Sequence, residues 1–202
     1  RDGEECDSAF LSSGTWSLLG IVTDEPILTE PVRLAGFSNE GAVGGKIKLL
    51  QNITGLWLLQ NLMKEWESRG LRVDYPYLLG EAEKSEFDGI IDVDDPMFVT
   101  SGGMEEKIIF YLLDHSYVAP VSQGDVVRCV LRSLAERYRK GIHQLGILRG
   151  KPIKNLHIIG GGCKNTLLNR YTEEATGIKV IPGPVEATAI GNILIQAQAE
   201  KS

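Results

Sequence analysis

A glycine triplet, Gly160-Gly161-Gly162, follows a short apolar run near the end of this chain, and its position constrains the fold more than any other feature. A doubly wound dinucleotide fold places its Gly-rich turn after the first strand and ends its second strand on an acidic residue. Here the triplet follows most of the other elements. The first third instead reads as strands and turns, Ala9 to Ser12, Trp16 to Val22 and Lys46 to Leu50, with Gly14, Pro26, Pro31 and the Gly41 to Gly45 stretch as punctuation.

Helical spacing takes over from there. Ile53, Leu56, Trp57, Leu59, Met63 and Trp66 recur on one face, so the pattern predicts a helix from Ile53 to Trp66, stopped by Gly70. Tyr75 to Lys84 reads as a further helix, and Phe87 to Asp95 as an irregular insertion. Ser122-Gln-Gly-Asp125 has the spacing of a capping box with Asp in place of Glu, and Val126, Val130, Leu134 and Tyr138 follow on one side, which predicts a long helix to about Leu148. The tail then alternates: a strand over Leu156 to Ile159, a helix over Asn165 to Ala175, a strand stub at Val180-Ile181 and a last helix over Glu186 to Ala199. Three meander strands followed by alternating helices and strands match an α/β domain of the ribonuclease-H-like, actin-like ATPase class, a mixed sheet flanked by helices.

Bulk properties narrow the function. The 202 residues suffice for one domain with a full core. The net charge is −6 with Lys and Arg scattered along the chain, which argues against a nucleic-acid partner. No apolar run reaches the ~18 residues a membrane span needs, and no signal peptide is recognisable. Cys6, Cys129 and Cys163 are odd in number and far apart, the usage of reduced thiols in a cytoplasmic protein.

On an acidic chain, an anionic ligand needs local N–H and O–H donors. Ser12-Ser13-Gly14-Thr15 sits at the turn of the first hairpin, where Ser13 and Thr15 offer hydroxyls and Gly14 a close backbone approach to phosphate oxygens. The same residues also suit a plain polar turn. Gly160, Gly161 and Gly162 leave one wall without Cβ atoms beside a helix start that Asn165 is placed to cap, so a flat base or a phosphate can lie there, with the Asn165 amide reading a polar edge. A strand-to-helix turn needing positive φ explains the triplet equally well. Asn39 to Gly45 and Gln51-Asn52 form polar, Gly-spaced segments of the kind that hold ligands, and Asn52 is either a substrate contact or an N-cap. Glu186 and Gly191 mark the start and packing face of the last helix. His115, His143 and His157 lack metal-ligand spacing, so no metal site is expected from this chain's own side chains.

Five segments in order, Leu11 to Leu18, Asn39 to Gly41, Gln51 to Gln60, His157 to Gly162 and Pro182 to Asn192, give the chain a nearly end-to-end resemblance to the C-terminal domain of the FGGY carbohydrate kinases, and among them to those acting on L-rhamnulose. The resemblance implies that residues 1–202 are the nucleotide-binding domain, with a sugar-binding N-terminal domain outside the chain. It implies transfer of the γ-phosphate of ATP, with Mg²⁺, to O1 of L-rhamnulose in rhamnose breakdown. Thr15, Gln60 and Gly161 correspond to ATP contacts and Asn52 to a ketose contact. The family's catalytic base is an Asp in a His-Asp-Thr segment upstream of the first turn. Asp7 is not in that context, so no catalytic residue is assigned and the isolated chain is expected to be inactive. L-fuculose, D-xylulose or a non-catalytic nucleotide-binding role are the competing implications, with Trp16 and Asn39-Glu40 favouring rhamnulose.

Overall fold

The computed structural model describes residues 7–184. The helix expected over Glu186 to Ala199, and Gly191 within it, lie outside these residues.

Six strands form one mixed sheet in the order β3-β4-β2-β1-β5-β6. β1 (Ser8–Ser13) turns at Gly14-Thr15 into β2 (Trp16–Thr23), which pairs antiparallel with β4 (Ile47–Thr54). β3 (Ser38–Gly41) adds an antiparallel edge to β4. On the other side β5 (Asn155–Ile159) lies parallel to β1, and β6 (Lys179–Pro182) parallel to β5. Parallel pairing demands crossovers, and α5 (Gln123–Arg149) and α6 (Thr166–Thr176) belong to them, packed side by side. The order expected from the sequence is therefore present, with β3 and two further helices, α1 (Glu30–Leu34) and α4 (Met104–Asp114), beside the α2 (Trp57–Ser68) and α3 (Tyr75–Lys84) that the spacing predicts.

Period-two alternation explains which sheet face is buried. Ala9 and Leu11, Leu19 and Ile21, Leu49 and Ile53, and Leu156 and Ile158 point to the same side. There they meet the apolar stripe of α5, from Val126 through Leu145, with Tyr138 and Leu134 fully enclosed.

Two expectations need correction. The helix read from Ile53 begins at Trp57, because Ile53 and Thr54 complete β4 and Gly55 then closes the strand. Asn52 is accordingly a strand residue facing Leu18 across the ladder, not an N-cap. Asn39, read as part of a ligand-holding loop, lies on edge strand β3. Its amide brackets Ile27, with Oδ1 accepting from the backbone N–H at 3.0 Å and Nδ2 donating to the carbonyl at 3.1 Å. The irregular insertion over 87–95 is confirmed as such, with Ile91 and Val93 buried between exposed Asp92 and Asp94.

Residues 137–172 contain no Asp or Glu, and several of their basic side chains are paired with carboxylates from elsewhere in the chain. Arg137 pairs with Asp94, Arg149 and Lys154 with Asp7, and Arg170 with Glu83. Cys129 and Cys163 are free and buried, and burial pushes the Cys129 thiol up to about 12, which keeps it protonated and inert. Among the described residues no helix is long and apolar enough to cross a membrane.

The start of α5 is fixed as its sequence indicates. Ser122 Oγ accepts the Asp125 N–H and Asp125 Oδ2 accepts the Ser122 N–H, each at 3.1 Å. Ser122→Ala leaves a first-turn donor unpaired and is expected to cost about 1 kcal/mol. Calorimetry should show Tm falling by about 2–4 °C for a chain of this size.

Candidate functional site

Parallel pairing of β1 with β5 sets Ser12 opposite Ile159, so both strands end at the same sheet edge. The hairpin turn and the glycine triplet, about 145 residues apart in sequence, are thereby made neighbours. Their contact is tight. A Cβ on Gly162 would overlap the Ser13 hydroxyl and come within 2.6 Å of Ser13 Cβ, and one on Gly160 would reach 2.8 Å from the Ser13 carbonyl. Gly160 also has φ +83°, a conformation that favours glycine. Gly161 differs from both: it is exposed, and nothing lies within 4 Å of where its Cβ would be. Two glycines therefore weld the turns together, and the third leaves a bare surface.

The residues just past the triplet hold it from behind. Gly161–Lys164 forms a 3₁₀ turn that hands over to α6. Asn165 is only 1 % exposed; its Oδ1 accepts the Leu168 N–H at 2.9 Å and its Nδ2 donates to the Tyr75 hydroxyl at 2.8 Å. With both ends of its amide engaged inside the protein, Asn165 shapes the turn and does not present its side chain to a ligand, contrary to the base-reading role expected of it. Asn169 reinforces the arrangement by donating to the Cys163 carbonyl at 2.9 Å.

The hairpin turn is fastened to α2 by a third glycine that the sequence reading missed. A Cβ on Gly55 would fall 2.5 Å from the Gly14 carbonyl oxygen and 2.8 Å from that of Thr15. Its absence lets the first N–H groups of α2 reach the turn: Leu56 N–H donates to Gly14 at 2.8 Å and Trp57 N–H to Thr15 at 3.1 Å. Thr15 Oγ1 then donates to Gln60 Oε1 at 3.1 Å on the exposed side. Thr15 and Gln60, singled out separately, are thus one unit.

Beneath the turns lies a buried hydroxyl cluster. The Ser17 and Tyr138 hydroxyls are 3.1 Å apart. Burial pushes the Tyr138 phenol up, with Ser17 and Ser13 partly offsetting it, and burial likewise raises Tyr75 against the Asn165 bond. Ser13 Oγ lies near Tyr138 but has no aligned hydrogen-bond partner. Ser17 and Tyr138 were not legible as site residues because a Ser in a strand and a Tyr on an apolar helix stripe carry no local signal.

Asn52 stands exposed on the outward face of β4, diagonal to Trp16 on β2. It is on the other side of the sheet from Ser13 and Ser17. A separate cleft of about 630 Å³, lined among others by Ile142, Ile147, Ile153, Ile178, Arg139 and Lys151, lies beyond the N-terminal end of β5, away from both turns. Among the described residues no group of three or more His, Cys, Asp or Glu is arranged to hold a metal ion.

Comparison with known proteins matches this architecture. The profile of the FGGY family of carbohydrate kinases, C-terminal domain, matches residues 9–200. A rhamnulokinase from Bacteroides thetaiotaomicron is 46 % identical over 190 residues, covering 94 % of this chain and 38 % of that protein. One from Pectobacterium carotovorum subsp. carotovorum is 40 % identical, covering 96 % and 38 %. The chain thus spans less than two fifths of these relatives. Among solved structures, a xylulose kinase from Bifidobacterium adolescentis superposes with TM-score 0.59 at 16 % identity, over 90 % of this chain and 36 % of that one. A Plasmodium falciparum glycerol kinase solved with ADP gives 0.58 at 16 %, over 89 % and 36 %. These distant structures share the actin-like ATPase fold.

The unequal roles of the glycines separate in two variants. Gly162→Ala drives a methyl group into Ser13 and is expected to destabilise the chain by about 1–3 kcal/mol in a denaturant titration. Gly161→Ala meets open space and should leave the denaturant midpoint within the error of the unaltered chain.

Proposed function

Because this chain belongs to the FGGY family of carbohydrate kinases, we propose that it is the ATP-binding part of an enzyme that phosphorylates L-rhamnulose at O1 with MgATP. The observation that carries the nucleotide assignment is the convergence of the Ser13-Gly14-Thr15 turn and the glycine triplet at the joined ends of β1 and β5. The sugar assignment rests on the 40–46 % identity to proteins named rhamnulokinase.

The residues fit a nucleotide in a definite way. Gly161 offers a wall without side chain for the flat adenine ring, with Gly160 and Gly162 holding that wall in place and Asn165 setting its curvature. Gly14 and Thr15 face the phosphates, the Thr15 hydroxyl turning the proton it now donates to Gln60 Oε1 toward a phosphate oxygen, while Ser13 supports the turn from within. Magnesium arrives with the ATP as part of the substrate. Phosphoryl transfer needs positioning and charge stabilisation more than covalent help from the protein, and pre-set donors on two welded turns supply positioning. Asn52 contacts the ketose. The base that takes the proton from the sugar hydroxyl belongs to a sugar-binding domain preceding this chain, and closure of the two domains excludes water as a competing acceptor.

Coupled-assay measurement of phosphorylation tests this reading. The complete protein is expected to phosphorylate L-rhamnulose in preference to L-fuculose and D-xylulose, and the 202-residue chain alone to phosphorylate none. A complete protein that prefers another sugar contradicts the substrate assignment. Binding of MgADP without transfer to any sugar would favour a non-catalytic nucleotide-binding domain.

A further inference from the structure

Trp16 is the large aromatic residue closest in sequence to the phosphate turn, and it is 54 % exposed. It follows Thr15 directly and opens β2 on the outward face of the sheet, while its neighbour Ser17 points into the core. One side of its ring is occupied: Trp57, at the start of α2, stacks on it with ring centres 6.5 Å apart and planes 12° from parallel. Trp57 is itself pinned, its indole N–H donating to the Phe98 carbonyl at 3.2 Å. The outer ring is therefore held in orientation by a fixed inner one.

The antiparallel register says what lies beside it. Trp16 pairs with Thr54 and Leu18 with Asn52, so Asn52 is the diagonal neighbour of Trp16 on the same face, and it is exposed. Diagonal neighbours across a ladder stand roughly 7–8 Å apart at Cα, within reach of an aromatic side chain. An aromatic face and an amide at that separation match the two surfaces of a sugar, whose C–H side is apolar and whose hydroxyls are polar. Thr15 is one residue from Trp16. A ketose lying on Trp16 and Asn52 would consequently have one end near the phosphate turn.

We propose that Trp16 is a specificity-determining residue of the ketose site, its exposed ring stacking on the C–H and methyl surface of a 6-deoxy ketose while Asn52 takes a hydroxyl. This rests on the kinase reading above and extends it. The ring face rewards a methyl terminus over a hydroxymethyl one, because a hydroxyl laid against an apolar surface loses its hydrogen bonds to water. L-Fructose, which carries a hydroxymethyl group where L-rhamnulose carries its methyl, is the matched comparison.

Steady-state kinetics of the complete protein with Trp16→Ala and Trp16→Phe decides it. Trp16→Ala is expected to raise KM for L-rhamnulose roughly tenfold and to reduce the preference for L-rhamnulose over L-fructose by a similar factor, the scale on which one apolar group discriminates substrates. KM for ATP should stay unchanged, and Trp16→Phe should recover most of the preference. An unchanged sugar preference, or KM for ATP rising together with KM for the sugar, overturns the proposal and assigns the ring to protein packing. If the unaltered protein phosphorylates neither ketose, the parent reading fails and this one with it. Circular dichroism of each variant separates these results from loss of fold.

Discussion

The contact of Gly162 with Ser13 is the constraint on which the rest of the site depends. Parallel pairing of β1 and β5 brings two chain segments to one end of the sheet, but pairing fixes only the strands, about 4.8 Å apart, and not how closely the turns beyond them approach. Removing the side chain at 162 lets the turns touch, and removing it at 55 lets α2 dock on the first turn from the other side. Backbone donors and hydroxyls from three separated stretches then share one small region. Just beneath lie the buried Ser13 hydroxyl and the buried Ser17–Tyr138 pair. Buried polar clusters are sensitive to change, and this one lies directly under the surface proposed for the nucleotide.

The two sides of the β1–β2–β4 ladder divide the work. Inward residues Ser13 and Ser17 belong to the hydroxyl cluster that braces the turns against α5. Outward residues Trp16 and Asn52 are exposed, Trp16 directly after Thr15 and Asn52 diagonal to Trp16 across the ladder. On the proposed reading, the phosphate-facing groups of the first turn and the sugar-facing groups of β2 and β4 share one rigid ladder with a fixed spacing. Phosphoryl transfer is well served by that economy, because a donor and an acceptor held on one rigid element lose little orientation between binding and reaction.

Much of the fold was legible because its signals are local. The capping box at Ser122 and Asp125 stands where the spacing placed it, and the α5 stripe follows its helical period. The glycine triplet falls between a strand and a helix as its flanks indicated. What escaped depends on tertiary context. β3 reads Ser-Asn-Glu-Gly, with no apolar alternation, and is a strand only because β4 offers it an edge. α2 starts four residues later than its apolar spacing indicates, because Gly55 is needed against the hairpin turn. In the site, the hydroxyl and glycine turns were visible as motifs. The division of labour within the triplet, the inward engagement of Asn165 and the part played by Tyr138 all depend on which residues the sheet brings together across more than a hundred positions of sequence.

A structure of the protein with MgADP bound tests the central claim most directly. The account predicts the purine against Gly161 and a phosphate oxygen within about 3 Å of Thr15 Oγ1. A nucleotide seated elsewhere, such as in the cleft lined by Ile142 and Ile178, with both turns bare, would contradict it.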